Sequence, residues 1–468
     1  MRISKAAFAF AISVQLAGVT AFAQTRAASP KSLGNDRRLK DESIHPASSR
    51  REQVIRRVAA QESAEASKTI PAVQSEATLD LASLKNLALE SSPSLREASA
   101  HIDALVGKRT QAGLWPNPDV GFSGQQVASR GLAEQNGVYV GQKIITAQKM
   151  RTDQTIVSQE IRRAQFQYDA QRLRLETDVT VAFYEALAAQ KLLEQTEELT
   201  RIAEEGYKTA EALRRGSEAS KIDVLQAKLE VDSTRILRDN ATHRLAAAWK
   251  NLVTIVGQRS LPPQPLAGKL EDGAAQYAWE DALTMLLEQS PELRAAQATA
   301  ERARWAHQRA MREIYPNIDA SGIVQRDHAI QGWDGAIQVS IPVPILNRNQ
   351  GQIRETLSNI AVAEQAIERT KLQLENRLAK VFERYVNALR QAERYEKDLL
   401  PTASEQLQLT TRVFKAGEVG YMNLLMAQRS FSQVHVNAVD AQRELAVSSA
   451  RIEGLLLEGS LEDPGIAP

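Results

Sequence analysis

The chain has no cysteine in its 468 residues. That excludes a disulfide framework, a thiolate zinc site, an iron–sulfur cluster and a lipid carried on an N-terminal cysteine. Aromatic residues are scarce, at 5%, which is low for a compact globule and usual for long helix bundles. Neither charge sign dominates. Lys and Arg number 58 against 57 Asp and Glu, a net charge of +1, so bulk electrostatics gives no case for a nucleic-acid partner. Beyond the N-terminus no run approaches the roughly 20 apolar residues of a membrane-spanning helix. No Ser/His/Asp set and no phosphate-binding glycine loop appears. The histidines His45, His101, His243, His307, His328 and His435 include no pair at metal-ligand spacing. Neither enzymatic activity nor a cofactor is expected.

What is present begins with an export signal over residues 1–23. Arg2 and Lys5 form a positive n-region, Ala6 to Ala17 is mostly apolar, and Ala21-Phe22-Ala23 fits a cleavage site. Residues 24–77 carry ten Lys/Arg and seven Asp/Glu without an apolar face. They read as a flexible extension. Residues 461–468 read as a flexible tail.

Between these ends the chain is written twice. Ser92-Pro93-Ser94-Leu95-Arg96 returns as Ser290-Pro291-Glu292-Leu293-Arg294, and Trp115-Pro116-Asn117-Pro118-Asp119 as Tyr315-Pro316-Asn317-Ile318-Asp319. A period near 200 is far beyond a solenoid unit of about 20–50 residues. It marks duplication of a half-protein, with one copy over 78–270 and the other over 271–460. In each copy a Ser-Pro pair restarts a helix, Ser as cap and Pro at the first helical position. The helix breaks at Trp115-Pro116 or Tyr315-Pro316. Alternation of period two then predicts strands at 118–128, 135–145, 317–328 and 333–343. Each copy thus offers one hairpin, over about 118–145 and 317–343.

Long helices follow, over about 147–257 and 349–457. Ile353, Leu357, Ile360, Glu364, Ile367, Lys371, Leu374, Leu378, Val381 and Tyr385 step as a heptad stripe. Pro401 is expected to kink this helix. Glycine ends each long helix, at Arg215-Gly216-Ser217 and at Gly417-Glu418-Val419-Gly420, and a second helix returns. Met422 and Met426, four apart near the second tip, have the chemistry to contact a soft metal, with core packing the stronger reading, and Glu204-Glu205 reads as a solvated face. The fold class is mainly α with a small β part: coiled-coil hairpins plus four strands. Four strands cannot close a barrel, and open edges are not tolerated in lipid. Three copies would supply twelve strands, an even number suited to a membrane barrel.

In this order and duplication the chain resembles the TolC-like outer-membrane factors over about residues 78–460. The segment Val339-Ser340-Ile341-Pro342-Val343-Pro344-Ile345-Leu346-Asn347-Arg348-Asn349-Gln350-Gly351 looks most like the CzcC-type branch, linked to heavy-metal cation efflux. The resemblance implies a homotrimeric conduit with a β-barrel in outer-membrane lipid and a helical barrel in the periplasm. It implies a periplasmic adaptor and an inner-membrane pump, of the RND type on the metal-branch reading, and no nucleic acid. It places adaptor contacts at the tips, Arg215, Gly216, Ser217, Gly417, Glu418 and Gly420. Asp223 stands where the family carries an acidic gate residue, and Asn423 stands where better-known members often carry an aspartate. Drug efflux, type I protein secretion and a soluble periplasmic scaffold are the competing readings.

Overall fold

The computed structural model describes residues 79–125, 135–216, 219–273, 275–328 and 331–462. The expected signal, the 24–77 extension and residues 463–468 of the expected tail lie outside the described residues.

Each copy opens with two short helices. These are α1 (Leu81–Ser91) and α2 (Pro93–Ala112) in the first copy, and α5 (Trp279–Gln289) and α6 (Pro291–Arg312) in the second. The repeated Ser-Pro does what its chemistry predicts. Ser92 Oγ accepts from Leu95 N and Ser290 Oγ from Leu293 N, both at 3.4 Å, with proline just inside each helix.

Four strands follow the Pro-Asn breaks: β1 (Asp119–Gln125), β2 (Gln135–Ile144), β3 (Ile318–Asp327) and β4 (Gly332–Ser340). They form one antiparallel sheet in the order β1-β2-β3-β4, so the two hairpins join through β2 and β3. The alternation in 333–343 outruns β4, which ends at Ser340 as a sheet edge. The second Asn of the repeated break ties the sheet to the helices. Asn317 Oδ1 accepts from Lys149 Nζ at 3.0 Å, and Thr146 Oγ1 donates to Pro316 O at 2.6 Å. Lys149 is 2% exposed and also faces Glu313 at 3.6 Å. Burial pushes the Glu313 carboxyl up, but Arg309 and Lys149 outweigh it, and its pKa is lowered.

The long helices come next. In the first copy α3 (Lys149–Arg215) runs 67 residues unbroken, roughly 100 Å at 1.5 Å per residue, and α4 (Lys221–Val256) returns beside it. In the second copy the outgoing helix is jointed. α7 (Gln350–Arg394) passes through a π turn at Tyr395–Leu399 into α8 (Leu400–Lys415), and α9 (Tyr421–Glu453) returns. Pro401 accounts for the joint. Its missing N–H and its ring disrupt the preceding turn, and one wide turn absorbs the disruption.

The predicted stripe on α7 holds in its second half, where Leu374, Leu378 and Tyr385 are 0–1% exposed. It fails nearer the sheet. Leu357 is 56% exposed, whereas Thr356 and Ala363 are buried. The smaller side chains let α6 pack close, and His307 Nδ1 meets Thr356 Oγ1 at 3.0 Å. One core gathers Leu84, Leu175, Val179, Phe183 and Leu252, and a second gathers Leu286, Leu374, Leu378, Tyr385 and Ile452. The first core also takes in Val439, Ala446 and Val447 from the return helix of the second copy, and a third gathers Ala210 and Ala227 with Phe414 and Tyr421, so the two copies share their packing. The contacts are uneven at the edges: α6 lies between α3 and α7, while α2 packs along α3 with no comparable second partner among the described residues.

Candidate functional site: a two-faced sheet and two helical tips

The sheet is chemically two-sided. Register places Val120 opposite Val140, Phe122 opposite Val138, Val138 opposite Val324, and Gly322 opposite Ile337. Paired residues share a face. That face is apolar and bare: Val120, Phe122, Val138, Val140, Ile337 and Val339 are 52–86% exposed. The opposite face carries Asp119, Ser123, Tyr139, Lys143, Asp319 and Gln338 by the same register. The pattern is apolar on one side and polar on the other, in strands of 7–10 residues, as in a membrane barrel wall. Among the described residues no helix is long and apolar enough to cross a membrane.

At the far end lie the two tips. In the first, α3 stops at Arg215 with Gly216 as cap, and Ser220 starts α4. Asp223 belongs to a capping box: its carboxylate accepts from Ser220 N at 2.9 Å and Ser220 Oγ at 2.8 Å, while Ser220 Oγ accepts from Asp223 N at 3.2 Å. Ser217 lies outside the described residues. In the second tip Gly417 takes φ +76, the left-handed conformation that suits glycine. Glu418 N then closes onto Val413 O at 3.1 Å, a Schellman-type stop. Gly420 is the N-cap of α9 without a side-chain bond, and Asn423 is exposed. The two gate candidates thus occupy the same third position of their helices. Only Asp223 is tied down by its own cap.

Behind the tips α9 crosses onto α3 at Gly206. A Cβ there would lie 3.2 Å from Gln428 Nε2 and 3.9 Å from the Tyr421 hydroxyl. This glycine permits the close approach. Beside it Arg429 Nε donates to Glu230 Oε2 at 2.9 Å, with the Glu230 side chain 8% exposed and that of Arg429 62%. The pair joins the first hairpin to the second. Burial, with Glu230 nearby, pushes the Tyr421 hydroxyl up to about 12, so it stays protonated. No single motif announced this joint. The signal lay in comparing the repeats, because Arg429 stands where the first copy has Leu229.

One expectation changes. Met422 and Met426 are not packing residues within the chain, being 43% and 62% exposed. They stand on the side of α9 turned away from α3 and α8. Glu204 and Glu205 do lie on a solvated face, paired with Arg235 and Arg201. No group of three or more metal-ligating side chains occurs among the described residues.

Comparison with known proteins completes the picture. The Cupriavidus metallidurans cobalt-zinc-cadmium resistance protein CzcC is 22% identical over 81% of this chain and 90% of its own. The Pseudomonas putida probable efflux pump outer membrane protein TtgC is 24% identical over 77% of this chain and 75% of its own. The crystal structure of the Vibrio cholerae outer membrane protein VceC superposes with a TM-score of 0.65 at 19% identity. It covers 81% of this chain and 96% of that one. The family described as outer membrane efflux protein matches twice, over residues 84–258 and 282–456, once per repeat. The chain belongs to the outer membrane efflux protein family and is a protein of the outer membrane.

Proposed function

We propose that three copies of this chain form a passive conduit that carries heavy-metal cations out of the cell envelope. The observation that carries the reading is the sheet, with one bare apolar face, one polar face and two open edges. The apolar face suits lipid and the polar face a water-filled lumen. Three four-stranded sheets close into a twelve-stranded barrel and leave no edge unpaired. The duplication supports the same closure. Within one chain α6 sits between α3 and α7, whereas α2 has no comparable second neighbour among the described residues; α7 of the next copy would supply it.

The conduit performs no chemical step. Energy comes from an inner-membrane pump, of the RND type on this reading, through a periplasmic adaptor that meets the tips at Arg215, Gly216, Ser217, Gly417, Glu418 and Gly420. Asp223 and Asn423 line the narrow periplasmic end. Because Asn423 is neutral and Asp223 is held in its cap, any acidic ring there is weak. The constriction instead depends on the hairpin joint at Glu230 and Arg429. Metal cargo rests on the likeness to CzcC. Export of organic compounds is the second reading, favoured by relatives such as the toluene efflux pump protein TtgC.

The test is extraction of native membranes, mass measurement of the detergent-solubilised protein, and export assays in a deletion strain. A detergent-dependent trimer and a deletion strain sensitive to cobalt, zinc or cadmium are expected. A water-soluble monomer would overturn the conduit. Sensitivity to toluene or antibiotics with unchanged metal tolerance would move the cargo to the second reading.

A further inference from the structure

The apolar face of the sheet is not evenly clothed. Gly322 and Gly335 stand on it as diagonal neighbours across β3 and β4, since Gly322 pairs with Ile337 and Gly335 with Val324. Glycine weakens a strand, and inside one it marks a bulge, a bend or a close approach by something else. The β3–β4 register runs without a bulge from Asp319 opposite Ser340 to Asp327 opposite Gly332. Neither glycine takes a positive φ. A Cβ on Gly322 would meet nothing within 4 Å, and one on Gly335 only Ile323 O at 3.9 Å. The polar face differs. A Cβ on Gly121 would lie 2.5 Å from the Tyr139 ring, and one on Gly137 would collide with Val324 O. Packing explains those two glycines and leaves Gly322 and Gly335 unexplained within the chain. The result is a furrow free of side chains, walled by Val324 and Ile337, which are 53% and 86% exposed. The first hairpin has none, because Val120, Phe122, Val138 and Val140 fill its rows.

A cation stands at the head of the furrow. Arg326 is two residues beyond Val324 on the same face and lies, by register, between Asn136 and Trp333. It is exposed, and among the described residues no carboxylate pairs with it. Trp333 is 72% exposed. The helices adjoin the sheet at its other end, next to Ile144 and Ile318, so Arg326 marks the outward end on the conduit reading. It lies about 27 Å along the strand from Ile318, against an apolar band about 25 Å tall in membrane barrels. An arginine on a lipid face is costly at mid-depth and tolerated at the rim. Its planar fork grips phosphate through two parallel hydrogen bonds. Because β3 is an inner strand of the four, closure onto a neighbouring copy leaves Arg326 bare.

We infer that Arg326, Trp333 and the furrow at Gly322 and Gly335 form a binding site for one anionic, phosphate-bearing lipid of the outer leaflet. The phosphate sits on the Arg326 guanidinium, the Trp333 ring stands beside the head group, and an acyl chain lies in the furrow. The inference rests on the conduit reading and extends it from lipid as a solvent to lipid as a bound ligand.

The test places the full-length protein, extracted from native membranes, in phosphatidylcholine vesicles doped with lipid A or with lipid A stripped of its phosphates. Lipids that survive re-extraction are counted per chain by native mass spectrometry for the wild type, Arg326→Gln, Arg326→Lys and Gly335→Val. The wild type should hold one lipid A per chain against the excess of phosphatidylcholine, and should not hold the stripped form. Arg326→Gln should lose it, and Arg326→Lys, which keeps the charge without the fork, should lose part. Gly335→Val fills the furrow and should also lose it, although valine suits a strand. Oligomer mass and bilayer conductance should stay at wild-type values throughout. Retention unchanged in both Arg326→Gln and Gly335→Val, equal retention of the stripped lipid, or displacement by inorganic phosphate, the mark of a free-anion site, would each overturn the inference. Should one of these two variants fail to assemble, the other carries the test, since one alters charge and the other shape. If the wild-type protein forms no conducting trimer, the conduit reading fails, and the lipid count per chain still decides the site.

Discussion

The sharpest consequence of the repeat is a residue-level register for the seam between copies. Within one chain β2 pairs with β3 so that Gln135 faces Asp327 and Ile144 faces Ile318. The repeats align at Asp119 and Asp319, whose partners are Gly141 and Ser340. Carrying the stagger of β2 on β3 over to β4 on the next copy's β1 puts Val339 opposite Phe122, and Ile341 opposite Val120. All four are exposed in the single chain, at 59%, 69%, 49% and 72%, and all lie on the apolar face or its continuation. A shift by one residue would set apolar against polar throughout, so the derived register also passes an independent chemical check. Directly opposed residues in an antiparallel pair have Cα atoms about 4.5–5.5 Å apart, inside the span of about 4.4–6.8 Å that a disulfide bridges. A slip of two residues moves the partner by about 7 Å along the strand and takes it out of reach. Phe122→Cys/Val339→Cys should therefore yield covalent trimers on mild oxidation in membranes, read on a non-reducing gel, while either single variant yields none. Phe122→Cys with Ile337→Cys or Ser340→Cys should cross-link poorly. A stronger product from either of those pairs would refute the transfer of register. Absence of product from every pair would refute closure between β4 and β1.

Other outcomes follow from the tips and the hairpin joint. Arg429→Ala leaves the Glu230 carboxylate buried without its partner and should cost about 1–3 kcal/mol, at the low end because Arg429 is largely exposed and screened; adding Glu230→Gln should recover much of the loss in a denaturation series. Ser220→Ala removes the capping box and should lower stability by about 1 kcal/mol, with hydrogen exchange quickening first at the start of α4. His435 is packed against Phe431 with ring centroids 4.1 Å apart, and burial lowers its pKa below the usual 6.5. The unfolded chain then binds the proton more readily, so His435 costs nothing above about pH 6.5 and destabilises as the pH falls from there toward its folded value. His435→Gln should flatten the thermal-midpoint slope in that window; an unchanged slope would place the acid sensitivity elsewhere.

Much of the fold was legible in the sequence because its signals are local and repeated. Ser92-Pro93 and Ser290-Pro291 start helices by capping, Gly216 and Gly417 stop them, and alternation over short segments revealed all four strands. The features that escaped depend on distance or on fine packing. Leu357 fits a heptad on paper, but the chain buries Thr356 and Ala363 because α6 comes close, a choice between neighbouring registers that periodicity cannot make. Pro401 announced a kink, yet the adjustment sits in the preceding Tyr395–Leu399 turn, where the freed carbonyls are. Glu230 and Arg429 lie 199 residues apart and carry no motif between them. Asp223 was legible as an acidic residue near a turn, while its capping role required the position of Ser220 Oγ.

The bare apolar face and the two unpaired edges also govern how the protein is made. A lone copy in the periplasm exposes Val120, Phe122, Ile337 and Val339 beside strands ready to accept any partner, the combination that invites misassociation. Its lifetime before meeting two others is then a race whose rate depends on local concentration, with aggregation as the competing channel. Yield in the membrane should rise steeply with synthesis rate at low expression and collapse at high expression unless holding chaperones shield the sheet.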